Sequence, residues 1–515
     1  MERAMNKATA WPRGIVTLLW LVIVLISTSV YAQNLAEFEK RVTEFTLPNG
    51  LKFLVLERHE APLVSFHTYA DVGSVDEVKG ITGLAHLFEH MAFKGTKTVG
   101  TKDYKAEAQA LAKIDELFVA MKAERRKGEQ ADKTLLEQYE RQFKEWEQEA
   151  QKYIVHDEYE ETLTREGGEG FNAYTSNDAT QYIVSLPSNK VELWALLESD
   201  RFLNPVLREF YKEKDVVMEE RRMGENNPQY RLFEEFGAIA YKAHPYGEPV
   251  VGHMSDLQAL TRGKADAFFR KYYGPSNLTI AVVGDVNPQQ MRKLAEEYFS
   301  RIPSGLKPEP VETVEPPQIG ERRVTVEDQS QPFVIIGYHK ASINHPDNAV
   351  FDVLTDIVSY GRTSRLYKSL VKEKKIAIGA AGFQGLPVNK YAGLFMFYAV
   401  PAKGHTNKEC EDAIYVEIER LKAESVTPEE LKKAKTRSRA SLIRELDSNS
   451  DLAAELTFYQ VVTGDWRNLF VQLDRINKVN ADDIQRVAKE YFTTKNRTVG
   501  VIETVVRDKR QTTID

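Results

Sequence analysis

A stretch near the middle of the chain is echoed at its end, and this constrains the fold more than any other feature. Phe269-Arg-Lys-Tyr272-Tyr273-Gly-Pro-Ser-Asn277-Leu-Thr-Ile-Ala-Val-Val283 is matched by Ala488-Lys-Glu-Tyr491-Phe492-Thr-Thr-Lys-Asn496-Arg-Thr-Val-Gly-Val-Ile502. Each segment reads as a helix end, a turn centred on asparagine and an apolar strand. An internal repeat of this kind implies two related halves. Between them lies Pro303-Ser-Gly-Leu-Lys-Pro308-Glu-Pro310, continuing to Pro316-Pro317, which has the composition of a linker. The expected fold is therefore α+β. Two homologous α/β-sandwich halves, each an antiparallel-rich sheet covered by helices, span 33–302 and 323–515, with the proline-rich linker over 303–322.

The first half alone carries a pattern with metal chemistry. In Thr82-Gly-Leu-Ala-His86-Leu-Phe-Glu89-His90-Met91, two histidines lie four apart with a glutamate just before the second. On a helix, positions i and i+4 stack on one face, so both imidazoles can grip one ion while Glu89 flanks that face. Hydrolytic zinc chemistry needs protein ligands that leave a position open for water, and a carboxylate to take that water's proton. The order H-x-x-E-H inverts the commoner H-E-x-x-H. Upstream, 63–71 alternates as a strand should, Asp71-Val-Gly-Ser makes a loop, and Thr82 is the expected N-cap of the motif helix.

Elsewhere the first half shows strands at 42–45 and 51–56 around the Pro48-Asn49-Gly50 turn, and further strands at 171–175 and 180–186. Residues 102–159 are dense in charge and poor in turn formers. Leu111, Ile114, Phe118 and Met121 form one heptad seam; Leu136, Tyr139, Phe143, Trp146, Ala150 and Tyr153 form another, with Gly128 between them. An antiparallel helical hairpin is expected there, inserted beside the motif helix. It reads either as a self-contained decoration or as an arm that docks a partner or restricts access to the site. After an amphipathic helix at 191–202 comes the acidic helix Glu213-Lys-Asp-Val-Val-Met-Glu219-Glu220-Arg-Arg-Met223. Glu213 and Glu220 are two turns apart on one face of it. Without the upstream motif, this would be an exposed charged face.

The chain begins with a processing signal: Arg13, an apolar run over 15–26, then Ser-Thr-Ser-Val30-Tyr31-Ala32, which suits cleavage before Gln33. The run is short for a membrane span, so 1–32 is expected to be a cleaved signal peptide and the destination a periplasm; left uncleaved, it would be an N-terminal anchor. A net charge of −7 favours neither nucleic acid nor an anionic membrane surface as partner. Cys410 is the only cysteine, so an exported protein of this sequence has no internal disulfide and must be stabilised by its cores.

Gly83-Leu-Ala-His86-Leu-Phe-Glu89-His90-Met-Ala-Phe-Lys-Gly-Thr96 resembles the active-site helix of the insulinase, pitrilysin and mitochondrial-processing-peptidase family of zinc metallopeptidases, the inverzincins. The similarity continues through Phe171-Asn172-Ala173-Tyr174-Thr175 and His244-Pro-Tyr-Gly. The resemblance implies that His86 and His90 bind one Zn2+ per chain, that Glu89 is the general base, and that a distant glutamate completes the site. Matching Glu213-Lys-Asp215 to the family's acidic region puts that ligand at Glu220, with Glu213 behind it orienting a ligand histidine. Asn172 and Ala173 match positions that contact the backbone of a peptide substrate bound as an added strand. His244 and His253 match no ligand.

The resemblance also exposes a departure. Active members commonly carry an arginine and a tyrosine in the second half, where this chain has Lys372 and Ile378 or Gly379. One two-half unit would moreover enclose only half of the chamber that four halves make in the family. Either substrate is bound differently here or another subunit supplies the pair; with the half chamber, a homodimer, or a heterodimer with a related zinc-less subunit, is expected. The implied function is an exported zinc-dependent endopeptidase acting on unfolded peptides or small proteins. Its alternatives are a catalytic subunit active only with a zinc-less companion, or a non-catalytic scaffold subunit of the same fold.

Overall fold

The strands of the chain sort into two sheets whose order repeats. A computed structural model describes residues 38–505; the expected signal segment over 1–32 lies outside them. The first sheet has β1 (Val42–Thr46), β2 (Lys52–Glu57), β3 (Leu63–Ala70), β4 (Glu169–Thr175), β5 (Thr180–Pro187) and β6 (Leu278–Gly284), in the order β1-β2-β6-β3-β5-β4. The second has β7 (Arg322–Asp328), β8 (Phe333–His339), β9 (Ala377–Leu386), β10 (Leu394–Pro401) and β11 (Arg497–Thr504), in the order β7-β11-β8-β10-β9. Without β1, the two orders are the same. The repeat's own strands, β6 and β11, each run parallel to one neighbour and antiparallel to the other.

The repeated asparagine explains why that segment recurs. Asn277 Nδ2 donates to the Tyr272 carbonyl at 2.9 Å and to the Asp71 carbonyl at 3.0 Å. Asn496 Nδ2 donates to the Tyr491 and His339 carbonyls, both at 2.8 Å. In each half one amide ties the last carbonyl of a helix to the end of the adjacent strand, satisfying two backbone acceptors at that corner.

The halves exchange helices. The helix Pro228–Ala240 follows the acidic helix in the first half yet lies across β7 and β11 of the second. Its Phe236 packs so closely that a Cβ on Gly337 or Gly500 would approach that ring to 2.8 Å or 2.9 Å. The reciprocal helix, Asn449–Thr463, lies across β3 and β6 of the first sheet. Both faces of the central strands are thereby covered, so β6 is buried at every residue and reads as a continuous apolar run. Residues 303–321, the linker region, carry no helix or strand.

The hairpin consists of Tyr104–Arg125 and Lys133–Gln151, and its two seams are unequal. Leu111, Ile114, Phe118 and Met121 are buried in the first-half core, whereas of the second helix only Ala150 is. Phe118 packs against Tyr211 with ring centroids 4.3 Å apart. The inner helix is therefore part of the core, which removes the reading of the hairpin as a self-contained decoration. The helix Val191–Leu203 also departs from expectation. Its polar residues Glu198 and Arg201 are buried too, paired at 2.6 Å, with the guanidinium 4.0 Å from the Tyr182 ring centroid. Cys410 is a fully buried residue of the second core.

Candidate metal centre

The motif helix, Leu84–Met91, starts from Gly83 at φ +88°, where an added Cβ would come within 2.4 Å of the Val251 carbonyl. Only glycine fits that entry to the helix. Thr82 is not the cap expected. Its hydroxyl donates to Asp256 Oδ2 at 2.8 Å and accepts from the His253 amide at 2.9 Å, which fixes the preceding loop instead. The cap is Glu77, whose carboxylate accepts from Gly83 N at 2.7 Å and Ala85 N at 2.6 Å. Two amides that a helix start leaves without intrahelical partners are satisfied by one buried side chain. Burial raises the Glu77 pKa to about 8 in spite of those bonds.

His86 and His90 share one face of this short helix, with ring centroids 5.0 Å apart. The acidic helix, Phe210–Glu225, packs against it and brings Glu220 between them. Glu220 Oε2 is 3.6 Å from His86 Nε2, and Oε1 is 3.6 Å from His90 Nε2. Among the described residues, these three form the one group of His, Cys, Asp or Glu side chains able to hold a metal ion, with ligand atoms within 4.8 Å of one another. Tetrahedral zinc with ordinary N and O bond lengths sets its ligand atoms about 3.3–3.6 Å apart, so the donor set fits. Burial and the neighbouring His90 hold the His86 pKa down to about 4, leaving the ring neutral, as a metal ligand must be.

Behind this cluster stands Glu213, with Oε2 at 3.5 Å from His90 Nδ1 and Oε1 at 2.7 Å from Lys94 Nζ. Burial disfavours charge on His90, but Glu213, Glu220 and Glu89 outweigh it and raise its pKa. Burial likewise opposes the charge on Glu213, and His90 with Lys94 reverses that, holding its carboxyl below the usual range. Glu89 is half-buried on the same helix face, and burial pushes its carboxyl up against the opposing pull of Thr175 and His90. Glu219, by contrast, is exposed and pairs with Arg222 at 2.8 Å.

Four residues of this arrangement were not found from the sequence. Besides Glu77, they are Lys94, Arg208 and Glu107. Arg208 Nη1 donates to the Lys94 carbonyl at 2.5 Å and Nη2 to the Thr96 carbonyl at 2.9 Å, while Nε meets Glu107 Oε1 at 2.6 Å. The inner hairpin helix thus pins the loop that leaves the motif helix. Lys94 lies four residues after His90, a spacing that could have marked it. Nothing local marks the others.

The strand β4 is the last of its sheet and runs beside the motif helix. Asn172 is exposed and Ala173 buried along it, and Phe171 meets Phe93 with ring centroids 4.8 Å apart. His244 Nδ1 accepts from Tyr246 N at 3.2 Å, and the His253 ring pairs with Glu248 at 2.7 Å; neither joins the cluster.

In the second half the corresponding helices, Asn348–Ser359 and Pro428–Glu445, also pack together. There Asp352, Thr355 and Asp356 stand at the motif's spacing, and Ser438 Oγ donates to Asp356 at 2.5 Å much as Glu213 faces His90. The architecture is kept while the ligands are gone. Lys372 is exposed on the helical turn Tyr367–Glu373, and Ile378 is 60% exposed on β9.

Comparison with known proteins places these features. The model of the insulinase family (peptidase family M16) matches residues 52–122 and 139–253, and that of the peptidase M16 inactive domain matches 259–438. The gap at 123–138 falls on the tip of the hairpin. The chain is 28% identical over 486 residues to the zinc protease PqqE of Helicobacter pylori, covering 92% of this chain and 94% of that one. It is 24% identical over 464 residues to an uncharacterized zinc protease of Mycobacterium leprae, covering 89% and 91%. The crystal structure of a protease from Helicobacter pylori superposes with a TM-score of 0.75 at 26% identity, over 90% of this chain and 99% of that one. A peptidase M16 inactive domain from Pseudomonas fluorescens shares the fold, with a TM-score of 0.70 at 18% identity over 91% and 99%. With a motif helix, an acidic helix and a paired second half all in the family's arrangement, the chain belongs to the insulinase family of zinc proteases, peptidase family M16.

Proposed function

We propose that the chain is an exported zinc-dependent endopeptidase that cleaves unfolded peptides or small proteins bound as an added strand on β4. The convergence of His86, His90 and Glu220 on one point, with the Glu89 carboxyl on the same helix face, carries this reading. Those three residues would hold Zn2+. Zinc held there supplies Lewis acidity and lowers the pKa of water towards neutrality, to about 7 in favourable sites. Glu89 takes the proton of the attacking water and delivers it to the leaving amine nitrogen. A carboxyl whose pKa is raised by burial is suited to both halves of that transfer. Glu213, held charged by Lys94, orients the His90 ring. The outer edge of β4, with Asn172 and Ala173, offers backbone hydrogen bonds to an extended peptide, which selects unfolded substrates.

Export to a periplasm is supported by the processing signal over 1–32. Among the described residues, no helix is long and apolar enough to cross a membrane. Lys372 and the exposed Ile378, in place of an arginine and a tyrosine, support a dimer in which a second subunit completes the substrate chamber. Hydrolysis of an unstructured peptide pool by the mature chain from Gln33, with Glu89→Gln as control, tests the activity. Cleavage by the wild type alone is the expected result. Silence from a folded, zinc-loaded protein would transfer the activity to a heterodimer with a zinc-less companion. Light scattering on the same sample reads the subunit number, and a monomer that cleaves would refute the need for a partner.

A further inference from the structure

An apolar cavity of about 240 Å³ opens where the end of β4 meets the second half. Phe233, Tyr241, Val250 and Val251 line it from the first half, and Leu386 and Pro387 from the second. Two of its carboxylates are already engaged: Glu234 pairs with Arg221 at 2.6 Å, and Glu248 with His253 at 2.7 Å. What remains facing the interior is hydrocarbon and aromatic surface.

Two wall residues connect this cavity to the metal cluster. Asn177 lies two residues beyond Thr175, the last residue of β4, which borders the Glu89 carboxyl. Tyr230 packs its ring onto Gly224, four residues past Glu220, with 3.0 Å to an ideal Cβ there. A peptide paired antiparallel to β4 runs in the opposite direction. Its residues on the amino-terminal side of the scissile bond therefore pass Thr175 and reach the cavity mouth. The rim is already built. The Tyr246 hydroxyl donates to the Asp178 carboxylate at 2.7 Å and accepts from Tyr391 N at 3.1 Å, while Lys390 N donates to Asp178 at 3.2 Å. Those bonds join the β4–β5 turn to the β9–β10 loop, so the walls are in place before any ligand arrives.

We propose that this cavity is a substrate subsite that takes a bulky apolar side chain, aromatic or branched aliphatic, from the amino-terminal side of the scissile bond. The inference rests on the peptidase reading and adds a sequence preference to it. Because both halves form the walls, the second half contributes to specificity although it holds no metal ligand.

Gly237 supplies the test. It lines the cavity from the helix Pro228–Ala240, and an added Cβ meets nothing within 4 Å. Gly237→Leu therefore starts its side chain in open space on the cavity wall, takes up volume there and improves helix propensity. The zinc-loaded mature chain would be given peptides that differ only in placing Phe, Leu, Ala, Asp or Lys at successive positions before the cleaved bond. The expected result is one position at which Phe and Leu raise kcat/KM about 10-fold or more over Ala. In Gly237→Leu the Phe and Leu peptides fall to the Ala level, with Gly237→Ala intermediate. Equal rates for all residues, or a preference that survives Gly237→Leu, would overturn the subsite. A wild type that cleaves nothing would instead count against the peptidase reading. Binding of the same labelled peptides to Glu89→Gln then reads the subsite by itself: tighter binding of Phe than Ala, lost on adding Gly237→Leu, supports it, and equal affinities refute it.

Discussion

Glu89 is not one of the three residues of the metal-holding group, yet it stands on the same helix face, and this separation of roles has a direct consequence. Glu89→Gln is expected to keep zinc at wild-type stoichiometry while lowering kcat by roughly 10²–10⁴, the usual contribution of a positioned general base. Metal analysis beside peptide hydrolysis checks this, and loss of zinc from the variant would contradict the assignment. Lys94 makes the opposite kind of prediction. It reaches the cluster through Glu213 on His90, so Lys94→Met should weaken zinc binding about 10- to 100-fold, as loss of outer-sphere partners does. Chelator competition measures that, and Lys94→Arg should restore most of it. At this scale the sequence was most informative where chemistry follows helical spacing. His86, Glu89 and His90 come from one period; Glu213 and Glu220 share a second helix face, but only the resemblance to the family singled them out there. Glu77 and Arg208 were hidden because their partners lie across loops, where no spacing rule operates.

The motif helix spans only Leu84–Met91, too short to be stable alone, so its ends and flanks must hold it. Gly83 sits in the left-handed region against the Val251 carbonyl, and Glu77 closes the first amides. Gly83→Ala would meet both the backbone penalty of that region, about 1–2 kcal/mol, and the clash. Urea denaturation of the zinc-free protein should show a loss of at least that size. A variant as stable as the wild type would mean that the helix start is not fixed as described. Elements of this kind were legible in outline: strands by alternation, the hairpin by its heptad seams. Their depth was not. The Val191–Leu203 helix reads as amphipathic, but Glu198 and Arg201 satisfy each other and go inside. Burial of a charged pair depends on a partner, and periodicity counts only hydrophobicity.

For the whole molecule, the repeat disclosed two related sheets, while the exchange of helices between them left no mark in the sequence. An apolar face on Pro228–Ala240 says that the helix must be covered, not which sheet covers it. The consequence of the exchange gathers at His67. This residue lies on β3 in the first half, and its Nδ1 is 2.7 Å from the Thr457 hydroxyl on the helix supplied by the second half. Burial drives its pKa from 6.5 down to about 3. The sign follows from proton counting: above pH 6.5 neither state binds the proton, but between pH 6.5 and about 3 the unfolded chain binds it and the folded chain does not. Acid therefore removes stability over that window, by up to about 1.4 kcal/mol per pH unit from this one group. Other groups titrate in the same range, so the measurement is a difference. Unfolding free energies of wild type and His67→Gln, taken from pH 7.5 to 5, should converge as pH falls, by up to about 2 kcal/mol below pH 6.5. Parallel curves would show that His67 takes up its proton in the folded state. The contact between β3 and the exchanged helix would then open to water well before the chain unfolds.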